Sequence, residues 1–143
     1  MAYFNQEKKN QVAPAIKAVL KKYNMKGSLA VNNHSTLVVN IKEGSLDLCG
    51  AELKCRLSDP RYLSLYGSED TEKPTYIQVN RYSASESHRR VNENTIADFY
   101  DELIEATMSA GWYNNSDSQI DYFDTAYYID INVGQWNKPY KLV

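Results

Sequence analysis

The stretch GSLAVNNHSTLVVNIKEG, residues 27–44, decides the fold. Leu37, Val39 and Ile41 alternate with Thr36, Asn40 and Lys42, a period of two that belongs to a strand with one buried face. Before them, Asn32, Asn33 and His34 are residues that tolerate positive φ. The stretch therefore predicts two short strands joined by a tight turn.

Working outward, the period changes on both sides. In NQEKKNQVAPAIKAVLKKY (5–23), Val12, Ile16, Leu20 and Tyr23 recur at helical spacing, with Lys17 and Lys21 on another face. Pro14 either starts the regular helix or kinks a longer one, and Gly27 is the expected stop. Downstream, SLDLCGAELKCRLSDPRYLSL (45–65) predicts a further strand and a short helical turn, and GSEDTEKP (67–74) reads as a loop. PTYIQVNRYSAS (74–85) predicts a strand with Tyr76, Gln78, Asn80 and Tyr82 on one face and Ile77 and Val79 on the other. SESHRRVNEN (85–94) reads as a polar connector that leaves His88 in a loop.

TIADFYDELIEATMSAGW (95–112) is the clearest helix, with Thr95 as its cap and Gly111 past its end. Ile96, Phe99, Tyr100, Leu103 and Thr107 form its inward stripe; Asp98, Asp101, Glu102 and Glu105 form its outward one. A last strand, AYYIDINV (126–133), alternates Tyr127, Ile129, Ile131 and Val133 against Tyr128, Asp130 and Asn132. The expected fold is α+β: one domain over residues 1–143, a mostly antiparallel sheet with two helices packed on one face.

No apolar run approaches the ~18–20 residues of a membrane span, and the polar start MAYFNQEKKNQ is no secretory signal, so no membrane association is expected. Cys49 and Cys55, spaced C-x5-C, match no zinc motif and read as reduced thiols of a cytosolic protein.

Charge is distributed unevenly. Residues 1–90 hold 14 Lys and Arg against nine carboxylates, whereas residues 91–137 hold nine carboxylates and no Lys or Arg. Such a split points to an electrostatic partner or to pairing of the two halves. Three surfaces follow. The outward stripe Asp98, Asp101, Glu102 and Glu105, extended by Asp117, Asp121, Tyr122 and Asp124, makes a candidate surface for a protein partner. Rows of negative charge can fill a groove shaped for phosphates, so a nucleic-acid-binding partner fits it. Trp112, Tyr113, Tyr122, Tyr128, Trp136 and Tyr140 would supply aromatic anchors.

As the alternative, Lys17, Lys21 and Lys22, with Arg89 and Arg90, would bind nucleic acid directly. A pI of 5.7 speaks against that reading. Third, Asp117, Asp121 and Asp124 follow D-x3-D-x2-D without the glycine of a calcium loop, but Asp121 and Asp124 could join Asp130 in space to hold a divalent ion for a metal-dependent enzyme. No P-loop, G-x-G-x-x-G or G-x-S-x-G occurs, so no catalytic residue and no cofactor are expected.

Two stretches carry a family resemblance. AIKAVLKKYNMKGSLAVNNHSTLVVNIKEG (15–44) resembles a small domain of phages and conjugative elements, including their large polyvalent proteins. SDSQIDYFDTAYYIDINVGQWNKPYKLV (116–143), with its D-Y-F-D run and G-x-W-x-K-P-[FY] end, is similar to the ends of small tailed-phage proteins. The resemblance implies a mobile-element accessory protein acting in the bacterial host cytoplasm, of the kind that counteracts host defence. It brings no catalytic residues with it. The expected function is therefore non-catalytic: binding a host protein through the acidic, aromatic C-terminal half and blocking or redirecting it. In the closing motif, Trp136 is expected to pack, Pro139 to end the strand and Gly134 to bend it.

Overall fold

The computed structural model describes residues 3–67, 72–109, 111–112 and 126–143. Its elements are α1 (Gln6–Lys22), β1 (Met25–Asn32), β2 (Thr36–Gly44), α2 (Leu48–Ser58), α3 (Pro60–Tyr66), β3 (Ile77–Gln78), α4 (Ala84–Arg90), α5 (Asn94–Thr107), β4 (Tyr128–Val133) and β5 (Lys141–Leu142). The architecture is α+β. One sheet runs β1-β2-β4-β3, with β5 also pairing β2. β1–β2 and β3–β4 are antiparallel, while β2 and β4 lie parallel at the centre. That parallel pair needs a long crossover, and α2 to α5 supply it.

The register explains the core. Leu37 lies opposite Ile129, Val39 opposite Ile131 and Ile41 opposite Val133, so the apolar positions of both central strands share one face. Against that face pack Val12, Ile16 and Leu20 of α1 and Ile96, Phe99, Tyr100 and Leu103 of α5, all buried. Each such side chain contributes about 1.5–3 kcal/mol by leaving water, the main force holding the helix layer to the sheet. Phe4 and Tyr127 pack with ring centres 4.7 Å apart and planes tilted by 50°, at the end where Phe4 N–H donates to the carbonyl of His34 (2.8 Å).

Several expectations are corrected. Gly27 does not stop α1: Asn24 does, at φ 55°, and Gly27 enters β1 beside a register shift. Its missing Cβ matters there, because one would sit 2.4 Å from the Asn40 carbonyl oxygen. Residues 45–65 form no strand but two helices, each started by an aspartate: Asp47 accepts from Gly50 N–H and Asp59 from Arg61 N–H. The strand expected over 74–85 shrinks to Ile77–Gln78. The polar connector is helix α4, and its His88 is buried, 2% exposed, rather than in a loop. Thr95 does not cap α5; the cap position is Glu93. The hairpin turn stands as expected, with Asn33 and His34 both at φ 53°.

Candidate functional site

The acidic stripe of α5 is largely engaged within the molecule. Arg89 Nη2 donates to Asp98 Oδ1 at 2.7 Å and to Asp101 Oδ2 at 2.9 Å. Lys22 Nζ reaches Glu102 Oε1 at 2.5 Å, and the Tyr23 hydroxyl donates to Glu102 Oε2. Lys54 pairs with Glu93 at the start of the same helix. Every one of these cations belongs to the first 90 residues, so much of the charge split is a pairing of the two halves. Hydrogen bonds from Lys22 and then Tyr23 hold the Glu102 carboxyl below its usual range. The bond to Glu102 and then burial push the Tyr23 hydroxyl up to about 12. Among the described residues only Glu105 of the four outward carboxylates has no ion-pair partner. Asp117, Asp121, Tyr122 and Asp124 lie outside the described residues.

The basic alternative divides in the same way. Lys22 and Arg89 are occupied as above, and Arg90 pairs with Glu86 at 2.6 Å. Lys17 and Lys21 are exposed, with no carboxylate partner among the described residues. Among the described residues no three metal-ligating side chains converge. The thiols are poor nucleophiles: burial raises Cys49 and lifts Cys55 to about 11, which keeps both protonated near neutrality.

A different surface emerges on the sheet. All the helix packing described above is on one face; the other presents Ser28, Ala30, Val38, Asn40, Asp130, Asn132 and Gln78, none of them buried. Register sets Ser28 against Asn40, Val38 against Asp130, and Asn40 against Asn132, so these side chains share one side. Asn132 Nδ2 donates to Asn40 Oδ1 at 3.3 Å across the central strands. Tyr128 stands at one end of the β4 row, half exposed.

At the other end the chain turns through Gly134 at φ 68°. A Cβ there would lie 2.7 Å from Tyr140 N and 2.8 Å from the Thr75 carbonyl oxygen, so only glycine fits without displacement. The chain then folds into a two-residue hairpin: Gln135 N–H donates to the Lys138 carbonyl (2.8 Å) and Lys138 N–H donates back (3.0 Å). Trp136 sits at its tip. It does not pack, as the sequence had suggested; it is 79% exposed. Two hollows flank the hairpin. One, about 290 Å³, lies among Asn40, Tyr76, Gln78, Asn132 and Trp136. The other, about 590 Å³, lies among Ser28, Asn40, Lys42, Gln135, Lys138 and Lys141.

Of the aromatic residues singled out in the sequence, Tyr113 and Tyr122 lie outside the described residues, and Tyr128 and Trp136 are available. Trp112 is spent on a bond to the Tyr127 carbonyl (2.8 Å) and Tyr140 on one to the Leu46 carbonyl (2.6 Å). Sequence reasoning missed the amides of Asn40, Asn132 and Gln78. Their signal was present, since they occupy the polar positions of alternating strands, a pattern that also fits plain solvation.

Comparison with protein-family models, curated proteins and solved structures returns no match. Among the described residues no helix is long and apolar enough to cross a membrane.

Proposed function

We propose that this protein acts by binding another protein, holding it on the open sheet face between Tyr128 and the Trp136 hairpin. One observation carries the reading: a tryptophan 79% exposed at the tip of a hairpin closed by two backbone hydrogen bonds. Exposing so large an apolar ring is unfavourable, and fixing it in place lowers the entropy lost when a partner covers it. Tyr76 and Tyr128, each about half exposed, add further aromatic anchors of the kind that dominate protein interfaces. Side-chain amides between them can pair with a backbone or with polar side chains.

The charges on this face are mixed: Lys42, Lys138 and Lys141 stand with Glu43 around the larger hollow, and Asp130 lies in register with Val38. A phosphate backbone favours a uniform positive track, so the mixture supports a protein occupant over a nucleic acid. Together with the resemblance noted above, this supports the reading of a mobile-element accessory protein that occupies a host protein in the bacterial cytoplasm. The contact surface thus stays aromatic and C-terminal, and moves from the α5 stripe to the sheet.

The test is a pull-down from nuclease-treated bacterial lysate with three forms: the parent, Trp136→Ala/Tyr128→Ala, and the α5 reversal Asp98→Lys/Asp101→Lys/Glu105→Lys. A partner retained by the parent and the reversal but lost by the aromatic variant supports the sheet face. Loss by the reversal alone returns the site to the acidic helix. Partners that disappear with nuclease move it to Lys17 and Lys21.

A further inference from the structure

The sheet ends in two unlike edges. On one side stands β3, two residues long; on the other stands β1, with eight. The register shows which backbone groups of β1 are free. Tyr128 N–H donates to the Ser35 carbonyl and Gly134 N–H to the Ile41 carbonyl, so the odd positions from 35 to 41 turn toward β4. Thr36, Val38 and Asn40 therefore turn toward β1, opposite Asn32, Ala30 and Ser28. Between these, Leu29 and Val31 direct N–H and C=O away from β2, and among the described residues no partner meets them. Long edges are normally blunted by charge, proline or a bulge, because they template further strands. In β1 the register shift and the one charge both lie at its start, at Lys26, so residues 28–32 stay open.

Charge defines what this edge takes. α1 and β1 together carry six lysines and one carboxylate, Glu7. Lys17, Lys21 and Lys26 gather with Gly27 around a hollow of about 480 Å³ beside the start of the strand. Lys26 has Glu43 at 4.0 Å, while Lys17 and Lys21 have no carboxylate partner among the described residues. A second copy of the chain would bring the same positive excess against itself, and a nucleic acid has no row of amides to continue the sheet. We propose that the β1 edge takes an extended acidic peptide segment, which adds a strand by pairing with Leu29 and Val31 and sets carboxylates against Lys17 and Lys21. The edge borders the open face at Ser28. Its pairing groups point in the plane of the sheet rather than out of it, so this binding does not depend on the Trp136 hairpin.

The experiment uses the full chain, labelled with ¹⁵N, and a peptide alternating threonine and glutamate, about as long as β1. Amide hydrogen exchange at Leu29 and Val31 should be fast in the free chain and slow at least about tenfold at saturating peptide. A threonine–lysine peptide should not bind. Lys17→Glu/Lys21→Glu, at exposed positions, should weaken binding about tenfold, and salt near 1 M should weaken that of the parent. Methylating every glutamate amide, or every threonine amide, blocks one edge of the peptide and leaves the protein untouched. One of these two peptides should lose binding and the other keep it. Trp136→Ala/Tyr128→Ala should bind the peptide as the parent does, so failure on the open face is told apart from failure here. No protection of Leu29 and Val31 at millimolar peptide overturns the proposal, as does binding kept by both methylated peptides or lost in the aromatic variant. So does slow exchange in the free chain together with a dimer mass in sedimentation, which would give the edge to a second copy.

Discussion

The outward face of α5 and the open face of the sheet look opposite in sequence to what they are in the folded molecule. The helix advertises charge: four carboxylates in eight residues, with no cation among them. Three of the four are nevertheless held by Arg89, Lys22 and Tyr23 from elsewhere in the chain. The sheet advertises nothing beyond ordinary alternation, yet it carries a fixed, exposed tryptophan and a row of amides. Charge counted along a chain is a poor guide to charge available at a surface, because long-range ion pairs are invisible at short range. Four perturbations break or sharpen this contrast.

The largest effect belongs to the hairpin that holds Trp136. Gly134→Ala would force a Cβ against two backbone atoms at positive φ. It should cost about 3 kcal/mol in denaturant unfolding, at the upper end of local backbone strain. A loss under about 0.5 kcal/mol would match an ordinary surface position and show that the turn can relax. The rigidity assigned to Trp136 would then be lost.

Next comes the pair Trp136→Ala/Tyr128→Ala. Both rings are at least half exposed, so stability should change by no more than about 0.5 kcal/mol per site. Partner affinity, measured by calorimetry once the partner is in hand, should fall at least about 30-fold, the signature of a hot spot. Equal losses of stability and affinity would mean that the rings serve the fold instead.

How much of this was legible follows from range. Residues 36–41 and 95–107 announced themselves because their partners are a sheet face and a core that only require periodicity. Residues 45–65 suggest a strand and one helical turn rather than α2 and α3, because Leu48, Cys49 and Ala51, the buried residues of α2, are too few to show a period. Likewise α4 has a polar sequence that hides His88 in a buried position. Trp136 was misread because G-x-W-x-K-P does not say whether the chain closes on itself before or after the ring. The bridge from Gln135 to Lys138 decides that it closes around it.

A smaller effect is expected from Arg89→Met, which frees Asp98 and Asp101. All three side chains are about half exposed, so the pairs are weak in water and screened by salt. Thermal unfolding should show a slight loss at low salt that disappears near 1 M, where the Debye length is about 3 Å. Partner binding should be unaffected. If the variant instead binds more tightly, the acidic helix takes part in recognition and Arg89 restrains it.

The smallest effect is a change in the pH profile at the Tyr23–Glu102 contact, and it tests whether the two halves of the chain are joined there. The Tyr23 hydroxyl titrates near 12 in the folded chain against 10.0 for an ordinary tyrosine. A group whose folded pKa is raised contributes stability that is fully present below its unfolded pKa. That contribution is therefore complete below pH 10 and fades as pH climbs to about 12. Glu102 is shifted the other way: its carboxyl is held below the ordinary 4.5, so its contribution is present above that value and fades as acid protonates it. Tyr23→Phe keeps the ring, 5.3 Å from Phe99, and deletes the hydroxyl. Subtracting the stability profile of this variant from that of the parent should leave a plateau between these limits, with one decline beyond pH 10 and another below pH 4.5. A flat difference would mean that the Tyr23–Glu102 hydrogen bond does not persist in solution. Glu102 would then rejoin Glu105 as an available negative charge, and the acidic helix would regain part of its claim as a binding surface.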